Sequence, residues 1–89
     1  MAVPELWRSA YTMHPRINGH ITASEVRVVS EDGAALGVFA IADALKLVAS
    51  RRADLVEIEP EAVPPVCQAI DYGKYRYRWL QAEKKRRGL

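Results

Sequence analysis

Near the end of this chain, over residues 64–79, a strand bounded by prolines runs directly into a basic and aromatic helix. Pro64 and Pro65 have no backbone amide hydrogen to donate, so regular strand pairing is expected to begin only at Val66. The helix is expected to begin just after Asp71, whose carboxylate can accept an amide hydrogen of the first turn. The segment therefore predicts a strand and a helix joined with almost no loop, and the helix is of a kind that suits RNA.

Charge is divided unevenly along the chain. Residues 1–71 carry six Lys/Arg and ten Asp/Glu, a net charge of −4, whereas residues 72–89 carry seven and one, a net charge of +6. The net charge of the whole chain, +2, conceals this division. A globular body with a basic arm is typical of proteins that bind a polyanion.

Length and composition favour a binding module over an enzyme. With 89 residues, of which 49% are hydrophobic and 27% charged, the chain should form one small domain. A domain of this size buries only about 60% of its surface, which leaves little stability for a deep catalytic cleft. No apolar run could span a bilayer or serve as a signal sequence, so no membrane association and a cytoplasmic location are expected.

The sequence contains no recognisable catalytic or metal-binding pattern. Cys67, His14 and His20 lack the spacing of a zinc site, and Cys67 is best interpreted as a buried thiol in a strand. Glu57 and Glu59 alternate along a strand, as on a sheet face exposed to solvent. We therefore expect no catalytic residue, no metal and no cofactor.

Hydrophobic periodicity predicts an α+β fold with the order β-β-α-β-β, followed by a C-terminal helix. The predicted elements are strands at 25–30 and 36–39, a helix at 41–50, strands at 54–59 and 66–70, and a helix from 72 onward. One helix crossing a face of a four-stranded mixed sheet is the simplest compact arrangement. The division expected is a loosely ordered leader (1–15), a globular domain (16–71) and a basic helix (72–89).

The last helix should present two different stripes. Tyr72, Tyr75 and Trp79 share one face and are expected to pack, whereas Tyr77 points away and can stack on an exposed base. The cations expected to contact RNA phosphates are Lys74, Arg76, Arg78, Lys84, Lys85, Arg86 and Arg87. The alternative is a charged, solvent-facing helix whose aromatic side chains merely pack.

Seven short motifs in order, over residues 16–87, resemble the N-terminal domain of bacterial translation initiation factor 3. They are Arg16-Ile17-Asn18, Glu25-Val26-Arg27, Asp32-Gly33 with Leu36-Gly37, Ala44-Leu45, the strand at 54–58, Pro64-Pro65-Val66-Cys67, and the segment at 71–77. No single motif would be sufficient, but their order and spacing make the resemblance specific.

The resemblance implies a β-grasp-like domain whose last helix begins an interdomain linker. It implies binding to the small ribosomal subunit, through ribosomal RNA and near platform proteins and initiator tRNA, which favours subunit anti-association and start-codon fidelity. A monomer is expected. The resemblance adds Arg16 and Asn18 to the candidate RNA-binding residues. The motif residues given a structural role are Pro65, Asp71, Tyr72, Gly73 and Tyr75.

Three features depart from the family pattern. Gln68 stands where the family usually has Arg or Lys, which is expected to weaken RNA contact, and Ala40 replaces a helix-capping hydroxyl residue. Nothing follows Leu89, where the family has a C-terminal domain, so the chain is either a fragment or a stand-alone paralogue. A paralogue could instead act as a regulatory module that docks a protein through Tyr75 and Trp79, without ribosome binding.

Overall fold

A computed structural model describes residues 15–88, with side chains described as far as Lys85. After a short 3₁₀ helix (Asn18–His20), the elements are β1 (Glu25–Val29), β2 (Ala35–Ala40), α1 (Ile41–Ser50), β3 (Asp54–Glu59), β4 (Val66–Ile70) and α2 (Tyr72–Gly88). The α+β fold predicted from the periodicity is confirmed. The predicted leader lies outside the described residues except for Pro15.

The four strands form one mixed sheet in the order β2-β1-β4-β3. The outer pairs, β1 with β2 and β3 with β4, are antiparallel, whereas β1 and β4 run parallel in the centre. The parallel pairing begins directly after the two prolines, where the Pro65 carbonyl accepts a hydrogen bond from the Arg27 amide at 2.8 Å. The chain crosses from one outer pair to the other through α1.

A tight turn joins β1 to β2, as Glu31-Asp32-Gly33 predicted. Gly33 has a φ of 93°, a left-handed conformation that favours glycine. The Ser30 hydroxyl donates to the Asp32 carboxylate and accepts from the Ala34 amide at 3.0 Å. These bonds hold the backbone of the turn in one conformation.

Hydrophobic side chains fill both faces of the sheet. On one face α1 covers a core that includes Val26, Val28, Ala44, Val48, Leu55 and Cys67. On the other, Tyr75 of α2 packs with Val56 and Ile70, supported by Ile17 and Tyr72. The start of α2 therefore covers part of the second face, through the aromatic side chains that were expected to pack. No helix within residues 15–88 is long and apolar enough to cross a membrane.

The start of α1 lacks a side-chain cap, as Ala40 suggested. No side-chain hydrogen bond is made at this position. Instead, the Ile41 amide donates to the Ser24 carbonyl at 2.9 Å. The backbone just before β1 therefore satisfies one of the amides that a hydroxyl residue would otherwise cap.

Glu57 is buried, and the expectation that it lies on a solvent-exposed face is wrong. Its residue exposure is 4%, and it faces the same side of β3 as Leu55. Alternate residues of β3 do point to opposite faces of the sheet, as the pattern predicted, but other residues cover both faces at this position. A carboxylate is tolerated there because Arg16 supplies a partner from outside the strand, Nε to Oε1 at 2.7 Å.

Candidate nucleic-acid interface

The beginning of α2 is fixed by two aspartates. The Lys74 amide donates to Asp71 Oδ2 at 3.1 Å, which is the capping bond that the sequence predicted. The Tyr72 amide donates to Asp54 Oδ2 at 2.9 Å. Two carboxylates therefore satisfy amides of the first turn and complement the positive end of the helix dipole. The direction of α2 is tied to the start of β3.

Gly73 keeps space for the Asp71 cap. A Cβ atom at position 73 would lie 3.0 Å from Asp71 Oδ2, closer than such contacts normally occur. A larger residue would gain helix propensity but push the capping carboxylate aside. The structural role predicted for Gly73 stays a prediction, and this close approach is the observation that supports it.

The aromatic residues of α2 divide between packing and exposure as expected. Tyr75 is 2% exposed, and the ring of half-buried Tyr72 stacks with it at a centroid distance of 6.1 Å. Trp79 is also half-buried. Tyr77 is 63% exposed on the outer side of the helix. Burial of Tyr75 removes it from any docking surface, which weakens the alternative of a protein-binding module.

Glu31, in the β1–β2 turn, contacts two cations of α2. Its Oε2 lies 2.8 Å from Lys74 Nζ and 3.2 Å from Arg78 Nη2, and its backbone carbonyl accepts Arg78 Nη1 at 3.2 Å. The hydrogen bond from Lys74, with the charges of Lys74 and Arg78, holds the pKa of the Glu31 carboxyl below its ordinary value. We call these three residues the Glu31 cluster.

Gln68 supports the same turn from β4. Its Nε2 donates to the carbonyl oxygens of Ser30, at 3.3 Å, and Glu31, at 3.1 Å. The side chain that departs from the family pattern is therefore a structural support of the turn. Its predicted effect on RNA contact stays a prediction.

Other cations of α2 are exposed to solvent and are not held by an ion pair with Glu31. Arg76, Lys84 and Lys85 are exposed and make no ion pair among the described residues. The side chains of Arg86 and Arg87 lie outside the described part of the structure. Among the cations of α2 whose side chains the structure describes, Lys74 and Arg78 are thus paired with Glu31, whereas Arg76, Lys84 and Lys85 have no ion pair.

Arg16 and Asn18 are engaged within the domain. Arg16 pairs with Glu57, although half of its side chain remains exposed. Asn18 donates from Nδ2 to Asp54 Oδ1 at 3.0 Å and accepts at Oδ1 from the Leu55 amide at 2.9 Å. Asp54 thus joins Asn18 to the start of α2. Contact of Arg16 and Asn18 with RNA stays a prediction.

Comparison with known proteins shows the family. The model of the N-terminal domain of translation initiation factor IF-3 matches residues 17–87. The chain belongs to this family. It is similar to translation initiation factor IF-3 of Neisseria meningitidis serogroup B, with 54% identity over 70 residues that cover 79% of this chain and 39% of the relative.

Other relatives agree. The chain is also similar to the IF-3 proteins of Chromobacterium violaceum (48% identity, 80% of this chain, 39% of the relative) and Aquifex aeolicus (43% identity, 81% of this chain, 41% of the relative). The chain thus matches about two fifths of the length of these relatives.

In this IF-3 N-terminal domain, the sequence pointed to the cations but not to the carboxylates that position the candidate residues. Glu31 and Glu57 pair with cations, Asp54 binds Asn18 and the Tyr72 amide, and none of the three was a candidate. They lie 18 to 47 residues from the groups they bind, so no local spacing could reveal them. The only available signal was a surplus of acidic residues in the body of a chain with a basic helix.

The described residues show no arrangement suited to catalysis by a thiol or a metal. Cys67 is fully buried, and desolvation, with the nearby charge of Glu57, raises the pKa of its thiol to about 12. A protonated, buried thiol is a poor nucleophile. No group of three or more His, Cys, Asp or Glu side chains within residues 15–88 could hold a metal ion.

Proposed function

We propose that this domain binds the small ribosomal subunit through ribosomal RNA, as part of translation initiation, without catalysing a reaction. The observation that carries the proposal is the surface of α2. Lys74 and Arg78 are each about half exposed, at 51% and 52%, and Arg76 and Tyr77 lie in the same helical segment. The sheet holds this segment in place through Tyr75.

The chemistry of the surface fits RNA. Lysine and arginine side chains bind phosphate oxygens through charge-assisted hydrogen bonds, and an exposed tyrosine ring can stack on an unpaired base. Such contacts position a protein on RNA more than they read its sequence. The specificity of the domain would therefore come from the shape of the ribosomal site and from the spacing of the cations along α2.

The relatives support a role in initiation, since each is named a translation initiation factor. We propose that occupancy of the small subunit by this domain contributes to subunit anti-association and to the choice of initiator tRNA and start codon. Platform proteins are proposed as further neighbours, and the cytoplasm as the location. We also propose that residues 16–71 are the globular domain and that α2 begins an interdomain linker.

Binding to isolated small ribosomal subunits tests the proposal. The variant K74E/R76E/R78E reverses three charges on α2, and K46E/R51E/R52E reverses three charges on and after α1, so the two have equal net charge. We expect the first to lose about a hundredfold or more in affinity at low salt, and the second far less. Affinity of the unaltered domain should fall steeply with added salt.

Circular dichroism and thermal unfolding of both variants provide the control for folding. Equal losses of affinity would show that only net charge matters and that α2 is not the contact surface. Binding to a protein partner that does not respond to salt, with no binding to subunits, would favour the regulatory module instead.

A further inference from the structure

A single carboxylate oxygen occupies a place between two cations in the Glu31 cluster. Glu31 Oε2 accepts hydrogen bonds from both Lys74 Nζ and Arg78 Nη2, at 2.8 and 3.2 Å. A phosphate oxygen of RNA carries negative charge and accepts the same kind of bond. The carboxylate therefore shows where a phosphate oxygen would lie if Glu31 moved away.

The position of Glu31 is well defined, because several hydrogen bonds hold the turn that carries it. Gln68 donates to the carbonyls of residues 30 and 31, and the Ser30 hydroxyl bonds across the turn. The Glu31 carbonyl also accepts from Arg78 Nη1. Arg78 would thus keep one contact to the turn if the carboxylate departed, so the guanidinium would remain near Lys74.

The carboxylate can be exchanged without opening the core. The side chains of Glu31, Lys74 and Arg78 are 42%, 51% and 52% exposed, so water reaches all three. Ion pairs between exposed side chains are weak, because solvent screens the charges and holding long side chains in one geometry is unfavourable. A phosphate of an RNA strand that makes further contacts elsewhere on α2 can therefore replace the Glu31 carboxylate.

We propose that Lys74 and Arg78 form a binding site for one RNA backbone phosphate, and that Glu31 is an internal competitor whose carboxylate leaves the site when RNA binds. The inference rests on the proposed function, in which ribosomal RNA is the ligand. Glu31 keeps the two cations together before binding and lowers the affinity for RNA that engages this site alone. RNA that also reaches Arg76 or Tyr77 overcomes the competition.

Replacing the competitor tests the inference. We expect E31Q to bind small ribosomal subunits about fivefold more tightly than the unaltered domain at low salt. The control, E61Q, changes net charge equally in the exposed loop before β4, where Glu61 has no ion pair among the described residues. Its affinity should change by less than about twofold. Equal gains for E31Q and E61Q would overturn the inference.

A second comparison asks whether Glu31 acts through the two cations. In a K74Q/R78Q background the E31Q change should have almost no effect on affinity, because the phosphate site is gone. A gain that persists in this background would show that Glu31 acts by long-range charge or by altering the fold. Thermal unfolding of each variant separates a change of fold from a change of affinity.

A short fluorescein-labelled oligouridylate distinguishes failure of this inference from failure of the proposed function. If no variant binds small subunits, yet E31Q binds the oligouridylate more tightly than E61Q, the phosphate site stands and the ribosomal role fails. If subunits bind but E31Q and E61Q agree on both probes, the ribosomal role stands and the competitor fails. Absence of binding to both probes overturns both.

Discussion

The two ends of the described segment each carry a cation–carboxylate contact, and the two contacts differ in burial. Arg16 meets Glu57, whose side chain is 3% exposed, whereas Lys74 and Arg78 meet Glu31, whose side chain is 42% exposed. A buried carboxylate needs its partner, because water cannot solvate the charge if the partner is lost. An exposed carboxylate is solvated by water and can exchange one partner for another. Both Arg16 and Lys74 were predicted to contact RNA, and the structure distinguishes them by whether water reaches the carboxylate that each one pairs with.

The largest expected effect comes from removing Arg16. R16A leaves the buried Glu57 carboxylate without its 2.7 Å partner, and we expect a loss of about 2 kcal/mol in the free energy of unfolding, measured in urea. E31Q, which opens the exposed contact, should hardly change the urea midpoint.

The double variant R16A/E57Q supplies the control for this prediction. Because it removes the charge as well as its partner, it should recover part of the lost stability. If E31Q is as destabilising as R16A, the distinction between the two contacts is wrong.

Asn18 should have the next largest effect, because both polar groups of its side chain are used inside the domain. N18A leaves the Leu55 amide without its acceptor and places alanine at a φ of 48°, so we expect a loss of about 1–2 kcal/mol in unfolding free energy. N18G removes the same bonds but tolerates the backbone conformation, and the difference between the variants measures that contribution.

The opposite result for Asn18 is equally informative. If N18A kept full stability but weakened binding to small subunits, the side chain would contact RNA, as its motif suggested. Both quantities should be measured on the same protein samples, so that a partly unfolded sample is not counted as a loss of affinity.

Cys67, which pairs in register with Glu57, reports on the buried region with a smaller effect. Its thiol should react with a disulfide reagent far more slowly at pH 8 in the folded domain than in guanidinium. Because its folded pKa is raised to about 12 from a reference of 9.0, its contribution to stability should be complete below about pH 9 and be lost as the pH rises toward 12. Rapid reaction in the folded state would contradict the burial.

Local sequence patterns were sufficient to predict most of the fold. The spacing of Ile41, Ala44 and Val48 predicted α1, and Asp71 predicted the start of α2. These signals are local, because a helix face and a cap depend on residues within one or two turns. The hairpin turn at Gly33 is local in the same sense.

The organisation of the candidate site could not be predicted in this way. The partner of the buried Glu57 is Arg16, which is 41 residues away, and the partner of Arg78 is Glu31, which is 47 residues away. An alternating strand pattern distinguishes two faces but does not say whether both are covered. Composition shows that cations are abundant, and only the fold shows which of them have acidic partners.

The anchoring of α2 also has a mechanical consequence. Its 17 residues form a rod about 25 Å long that is held to the sheet near one end, by Asp54 and Tyr75. A tilt of about 10° at that end would carry the far tip sideways by about 4 Å. Glu31 contacts Lys74 and Arg78 within the first two turns of the helix. The proposed exchange of its carboxylate would therefore act close to the fixed end, where a small change of angle becomes a large displacement of the far end.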